Sequence, residues 1–163
     1  MTDCIKSEQY IKEHRGETIE TMCNFAQTDL LFFWSDNPEV YAGQKKIWQP
    51  FLDLLQAESK ALINVSKTLQ MPDNEKYLVW LKSKLQKLSD TELTAVFLAA
   101  TQMKSVILGL SLLDKKTSVD DVFTAAFWEE IYQNELWGAD EEALQKREQT
   151  KAELQKIWEY LNK

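Results

Sequence analysis

Residues 127–142, FWEEIYQNELWGADEE, gather two tryptophans, a tyrosine and six carboxylates with no Lys or Arg among them. Two chemistries use such a set. Paired carboxylates can act as general acid and base, as in glycosidases, if a cleft makes them face each other and shifts their pKa values. Aromatics interspersed with a few fixed polar groups also make surfaces that hold protein partners. The spacing favours the second. Phe123, Phe127 and Ile131 define an inner helical stripe, so Trp128, Glu129, Tyr132 and Gln133 fall on the flanks or outside. Glu129, Gln133 and Trp137 recur every four residues, with Glu130 beside that row. The structural alternative is that this wall packs on the last helix and buries Trp128 and Tyr132, since aromatics at helical spacing usually lie in cores.

Elsewhere catalytic parts are sparse. The single histidine, His14, lies in the charged stretch KEHRGE and reads as solvated. Glu-x-x-His pairs, GxSxG, P-loop and GxGxxG motifs are absent. Cys4 and Cys23 are too far apart for a CxxC pair and have no histidine cluster, so neither zinc nor a disulfide framework is expected. The sequence therefore implies no catalytic residue, cofactor or metal. A net charge of −7 repels phosphate backbones and argues against nucleic-acid partners.

The elements that must position the acidic wall are helical. With only four Gly and three Pro in 163 residues, the turn-rich folds are disfavoured. The pattern predicts an all-α bundle of five or six helices in a single domain over 1–163. Residues 7–27 form a helix broken at Gly16, and DLLFFW (29–34) is a buried segment. Asn37 caps a helix starting at Pro38 and running to about residue 56, with Tyr41, Ile47, Trp48, Phe51, Leu54 and Leu55 inward and a kink or break at Pro50. Residues 61–69 could hold a short extended piece. A helix restarts at Pro72. Ser89 with Glu92 forms a capping box for one long helix carrying Leu93 to Leu110. Thr117 or Ser118 caps the next, and Gly138 stops it in a left-handed conformation. The last helix, 140–161, turns Leu144, Leu154, Ile157, Trp158 and Leu161 inward. The apolar run 93–113 has the length of a membrane span, but Gln102, Lys104 and hydroxyl residues make it a buried core helix instead. The N-terminus matches neither a secretory signal nor a transit peptide.

Three blocks in order carry a family resemblance: TDLLFFW (28–34) with DNPEV (36–40), Gln44 and Trp48-Gln49-Pro50; then AATQMKSVILGLSLL (99–113); then Glu129, Glu130, Gln133, Trp137, Gly138 and Glu141. They resemble the helical domain of the assembly chaperones for the alpha subunit of the ATP synthase catalytic head, the ATP synthase assembly factor 2 family. The match runs from about residue 7 to the end. The family's preceding β-rich domain is expected to be absent, and Asp140 stands where an aliphatic residue is expected. The resemblance implies a monomeric, non-enzymatic chaperone that shields free alpha subunit from aggregation until beta displaces it. It would act in the bacterial cytoplasm, or in the mitochondrial matrix if the chain is a processed fragment. Glu129, Glu130, Gln133, Trp137 and Glu141 would bind the client, while Asp29, Trp48, Pro50 and Gly138 shape the domain. The rival readings are a generic helical interaction module with another client and a small enzyme with an unrecognised site.

Overall fold

The structure is a computed structural model that describes residues 3–114 and 117–162. Among them are eight α-helices and one short 3-10 helix: α1 Cys4–Glu13, α2 Arg15–Ala26, the 3-10 turn Leu30–Phe32, α3 Pro38–Ser59, α4 Glu75–Lys87, α5 Asp90–Met103, α6 Val106–Ser111, α7 Val119–Trp137 and α8 Glu141–Leu161. The all-α expectation holds. The count exceeds five or six because two expected helices are each split by a local polar device.

The first split falls at His14 rather than at Gly16. His14 leaves helical geometry at φ −122 and stacks its ring on Tyr10 at 4.1 Å. Its Nδ1 meets the Tyr10 carbonyl at 2.9 Å, so the ring occupies one of the acceptors that the end of α1 exposes. Gly16 simply sits inside α2. The second split separates α5 from α6. Lys104 takes the left-handed conformation (φ 57), and buried Ser105 then caps Leu108 N–H at 3.0 Å.

Asp29 ties this second split to the rest of the fold. It is fully buried, and its two oxygens accept the N–H of Leu31 and of Ile107, each at 3.0 Å. One carboxylate thus caps both the 3-10 turn and the start of α6, two elements 78 positions apart in sequence. Burial pushes its pKa up from the usual 3.8 to about 6, although Ser105, Ile107, Leu31 and Val106 all supply hydrogen bonds that favour the charge.

Pro50 does not break α3, which runs unbroken for 22 residues. Both Pro50 and Lys46, whose carbonyl loses its helical partner, face solvent, where water can serve that carbonyl. The buried face of α3 is Val40, Gln44, Trp48, Leu52 and Leu55. Tyr41, Ile47 and Phe51 are only half-buried and Leu54 is exposed, so the expected stripe is rotated. Buried Gln44 is satisfied by donation from Ser35 N–H to its Oε1 at 2.7 Å. The indole N–H of Trp48 donates to the Ala125 carbonyl at 2.7 Å and pins α3 to α7.

Residues 61–69 are non-helical, and the pairing there is one isolated parallel bridge, Phe33 to Ser66. Asn64 and Asn74 clamp the base of this loop: Asn64 N–H donates to Asn74 Oδ1 at 2.6 Å, and Asn74 Nδ2 returns a bond to Asn64 O at 3.0 Å. With its side chain so engaged, Asn74 precedes a helix that begins at Glu75, later than Pro72. Arg15 caps the other end of α4 by donating to the carbonyls of Leu85, Gln86 and Leu88 while pairing with Asp90 at 2.8 Å.

The buried side chains form one cluster, centred on Trp48, Tyr77, Phe32, Leu81, Leu93 and Ile107. α5 packs against α1, α6 and α8, and α3 against α7. No helix among the described residues is long and apolar enough to cross a membrane. At the far end, Gly138 stops α7 with φ +84 and ψ 164, a positive-φ region open essentially to glycine alone rather than the left-handed helical well. A Cβ there would meet no atom within 4 Å, so the cost of substitution is purely conformational. Gly138→Ala is expected to lower stability by about 1–3 kcal/mol, read from urea unfolding, with no loss of packing.

Candidate functional site

The acidic wall lies on α7, and a change of direction inside that helix decides what it faces. Phe127 leaves helical geometry (φ −112, ψ 16), at the first residue of the segment. Beyond it, Trp128 turns toward α3 rather than toward the last helix. Its indole lies so close to Gly43 that a Cβ built there would fall 2.1 Å from Cζ2. Tyr132 donates its hydroxyl to Glu39, also on α3. The packing alternative was thus correct that these two aromatics serve the fold and incorrect about the partner: the α8 expectation fails because glycine at 43 leaves a notch in α3 wide enough for an indole. Gly43→Ala must expel that ring. It is expected to cost about 1–3 kcal/mol, the range for overpacking, and much less in a Trp128→Ala background, a coupling that a double-mutant cycle measures.

The inner stripe of α7 also shifts. Val119, Val122, Phe123 and Ala125 are buried, whereas Ala126, Phe127 and Ile131 are only half-buried. On α8, Leu154 and Ile157 reach the core, Trp158 and Leu161 are half-buried, and Leu144 is exposed. The first half of α8 therefore buries no side chain fully, and Ala143, Arg147 and Thr150 face α5 and α7 beside the acidic wall.

Glu129, Glu130 and Gln133 come together at one open cleft of about 350 Å³, also lined by Leu30, Trp48, Gln102, Lys104 and Phe127. Glu129 and Gln133 are exposed, and Glu130 is half-buried with Oε1 3.4 Å from Arg147 Nη1. Trp137 and Glu141 do not line this cleft. They stand at the α7–α8 turn, where Trp137 is 84% exposed beside exposed Leu136. The five residues thus form two groups: a polar cleft on α7 and, at the α7–α8 turn, an exposed indole with Glu141 nearby. Asp29, Trp48 and Gly138 act through the fold, as the preceding geometry describes, and Pro50 sits on the exposed side of α3.

Sequence reasoning missed three contributors. Gly43 carried a signal, being an isolated glycine inside a helical pattern, a position that usually has a packing reason. Lys104 and Arg147 carried none, because only the fold brings the ends of α5 and α8 to the flank of α7. No group of three potential metal ligands gathers among the described residues.

The fold and the exposed wall define an all-α protein with an open polar and aromatic surface at the end of α7. No protein-family model matches the chain. Its fold is that of Atp12 from Paracoccus denitrificans, to which it is similar with a TM-score of 0.89 at 23% identity, over 96% of this chain and 68% of Atp12. An aspartate-to-lysine mutant of that protein superposes equally well. Atu1473 of Agrobacterium tumefaciens, described as a candidate chaperone, matches with a TM-score of 0.86 at 24% identity, over 93% of this chain and 58% of its own length.

Proposed function

We propose that this protein is an assembly chaperone of the ATP synthase assembly factor 2 family. In this reading it binds the free alpha subunit of the catalytic head and keeps it from aggregating until the beta subunit takes its place. The observation that carries the reading is the combination of the Atp12 fold over nearly the whole chain with the accessible Glu129–Glu130–Gln133 cleft and Trp137 tip. An exposed indole on a fixed helix end covers apolar area at low entropic cost, and exposed carboxylates select a basic rim and oppose self-association. No nucleotide hydrolysis is required, since competition between partners releases the client. The working compartment in this reading is the bacterial cytoplasm.

The experiment is direct. Isolated alpha subunit, diluted from denaturant or expressed alone, is expected to stay in the supernatant with one equivalent of this protein and to precipitate without it. A pull-down from the source cell dominated by a different polypeptide, with alpha subunit absent, would instead favour a helical interaction module serving another client.

A further inference from the structure

The large apolar side chains left in water are gathered in one place. Leu62, Val65, Leu69, Met71 and Val79 all stand exposed on the loop between α3 and α4 and the first turns of α4. The loop is tied down at several points. Ala61 and Ile63 are buried, and Ile63 N–H donates to Gln56 Oε1 at 2.9 Å. Ser66 N–H donates to Phe32 O at 2.7 Å, and Ser66 O accepts Trp34 N–H at 2.8 Å. The Asn64–Asn74 clamp closes the base. Between these anchors the outward positions carry Leu62, Val65, Leu69 and Met71, where a loop facing only water carries polar or turn residues. Leu69 is 99% exposed, so it touches almost nothing of its own chain and lines no cleft.

The charge around this tip has the opposite sign to that of the chain. Between Glu58 and Asp90 stand six lysines against two carboxylates, Asp73 and Glu75, in a chain of net charge −7. Two of the six are neutralised, Lys82 by Glu20 and Lys84 by Glu58. Lys60, Lys67 and Lys76 are exposed and take part in none of the ion pairs among the described residues. Lys67 lies 4.1 Å over the Tyr41 ring, which brings the loop to α3. Lys45, one turn beyond Tyr41 on α3, is likewise exposed and outside those ion pairs. Of the carboxylates on this side, Glu39 is engaged by the Tyr132 hydroxyl, and Asp73 accepts Glu75 N–H at 3.2 Å.

We propose that this loop is a peripheral contact for an anionic phospholipid surface. Leu69 and Met71 enter the boundary between headgroups and acyl chains, and Lys45, Lys60, Lys67 and Lys76 face the phosphates. A projecting apolar tip with cationic flanks suits a deformable phase that closes around it. A polypeptide partner is met instead by side chains set in well-packed recesses, which a side chain as bare as Leu69 does not offer. The local lysines govern the contact despite the acidic total, because salt screens exposed charges beyond about 8–10 Å. The lysine stems add apolar length while their ammonium groups stay at the headgroups.

The full chain is sedimented with vesicles of phosphatidylcholine alone, or of phosphatidylcholine with about one third phosphatidylglycerol. Half of the protein is expected on the anionic vesicles at about 0.1–1 mM accessible lipid, the strength of a single weak anchor. Neutral vesicles are expected to bind at least about fivefold less. The double variant Leu69→Gln, Met71→Gln is expected to weaken anionic binding at least about fivefold, and Lys60→Gln, Lys76→Gln by about the same factor. All four side chains are exposed, so both variants are expected to keep the wild-type melting temperature. No sedimentation with anionic vesicles over that range, equal binding to neutral ones, or binding unchanged in the Leu69 and Met71 variant overturns the proposal. So does self-association or alpha-subunit binding that this variant abolishes while anionic vesicles leave the wild type in the supernatant, since polypeptide then covers the patch. The vesicle arm contains no client and the aggregation assay no lipid, so either reading can fail alone.

Discussion

Asp29→Ala is expected to destabilise the fold by about 3–5 kcal/mol, enough to unfold a domain of ordinary marginal stability. The change deletes no large apolar contact. It removes the acceptor for two buried backbone N–H groups, those of Leu31 and Ile107, and so orphans both the 3-10 turn and the start of α6 at once. Asp29→Asn is expected to fall between the wild type and alanine, because its amide oxygen can still accept one of the two donors while its NH2 faces the other. The order wild type, Asn, Ala should appear in urea midpoints at pH 7.5.

The same carboxyl sets a pH dependence whose sign follows from its raised pKa. Between 3.8 and about 6 the folded protein holds a proton on Asp29 that the unfolded chain has released. This contribution to stability is therefore fully present below pH 3.8 and is lost as pH rises through 6. A shift of that size corresponds to about 3 kcal/mol at most. Other groups titrate in the same window, so the quantity to measure is the difference between wild type and Asp29→Asn. The margin of wild type over Asp29→Asn should therefore widen as pH falls from 7.5 to 5. A margin that shrank on acidification would mean the carboxylate is stabilised as the anion, with the four donors outweighing burial.

The elements legible in the sequence are those fixed by neighbours a few residues apart. Asn37 accepts from Glu39 and Val40 N–H ahead of Pro38, Ser89 and Glu92 form their capping box, and Ser118 pairs with Asp121 in another. Each is a local bargain between a side chain and the first turn of a helix, and the spacing alone announces it. Apart from the split at His14, the misreadings have the opposite property. The α5–α6 break depends on Asp29, which lies 78 positions from the amide it accepts. The notch at Gly43 makes sense only once Trp128 is brought to it by the bend at Phe127. α3 continues through Pro50 because the carbonyl it orphans faces solvent, and that exposure is set by the fold rather than by spacing. Half of the acidic wall was legible for the same local reason: four-residue spacing puts Glu129 and Gln133 on one exposed stripe. Its basic flank was not, since Lys104 and Arg147 are 43 positions apart and come together only where the fold sets α5 and α8 beside Phe127.

The second large effect tests the proposed client reading. Glu129→Lys is expected to weaken binding of the alpha subunit by at least about tenfold, or roughly 1.4 kcal/mol, while far-ultraviolet circular dichroism and the urea midpoint stay at wild-type values. Glu129 is exposed at the cleft mouth and makes no ion pair among the described residues, so its reversal removes no internal contact. It does place a like charge opposite any basic rim the cleft selects, and such juxtaposition costs several kcal/mol where water is excluded. Glu130→Lys is a different experiment. It puts an ammonium beside the half-sequestered Arg147 guanidinium, so it should lower stability as well as affinity, and its binding loss cannot be assigned to the client surface alone. The pair of variants separates the two roles that the wall combines. If Glu129→Lys binds the alpha subunit as wild type does, the cleft is not where the client sits. Trp137→Ala then becomes the informative change, because the indole tip is the other exposed group on that end of α7 and its truncation removes apolar contact without touching charge.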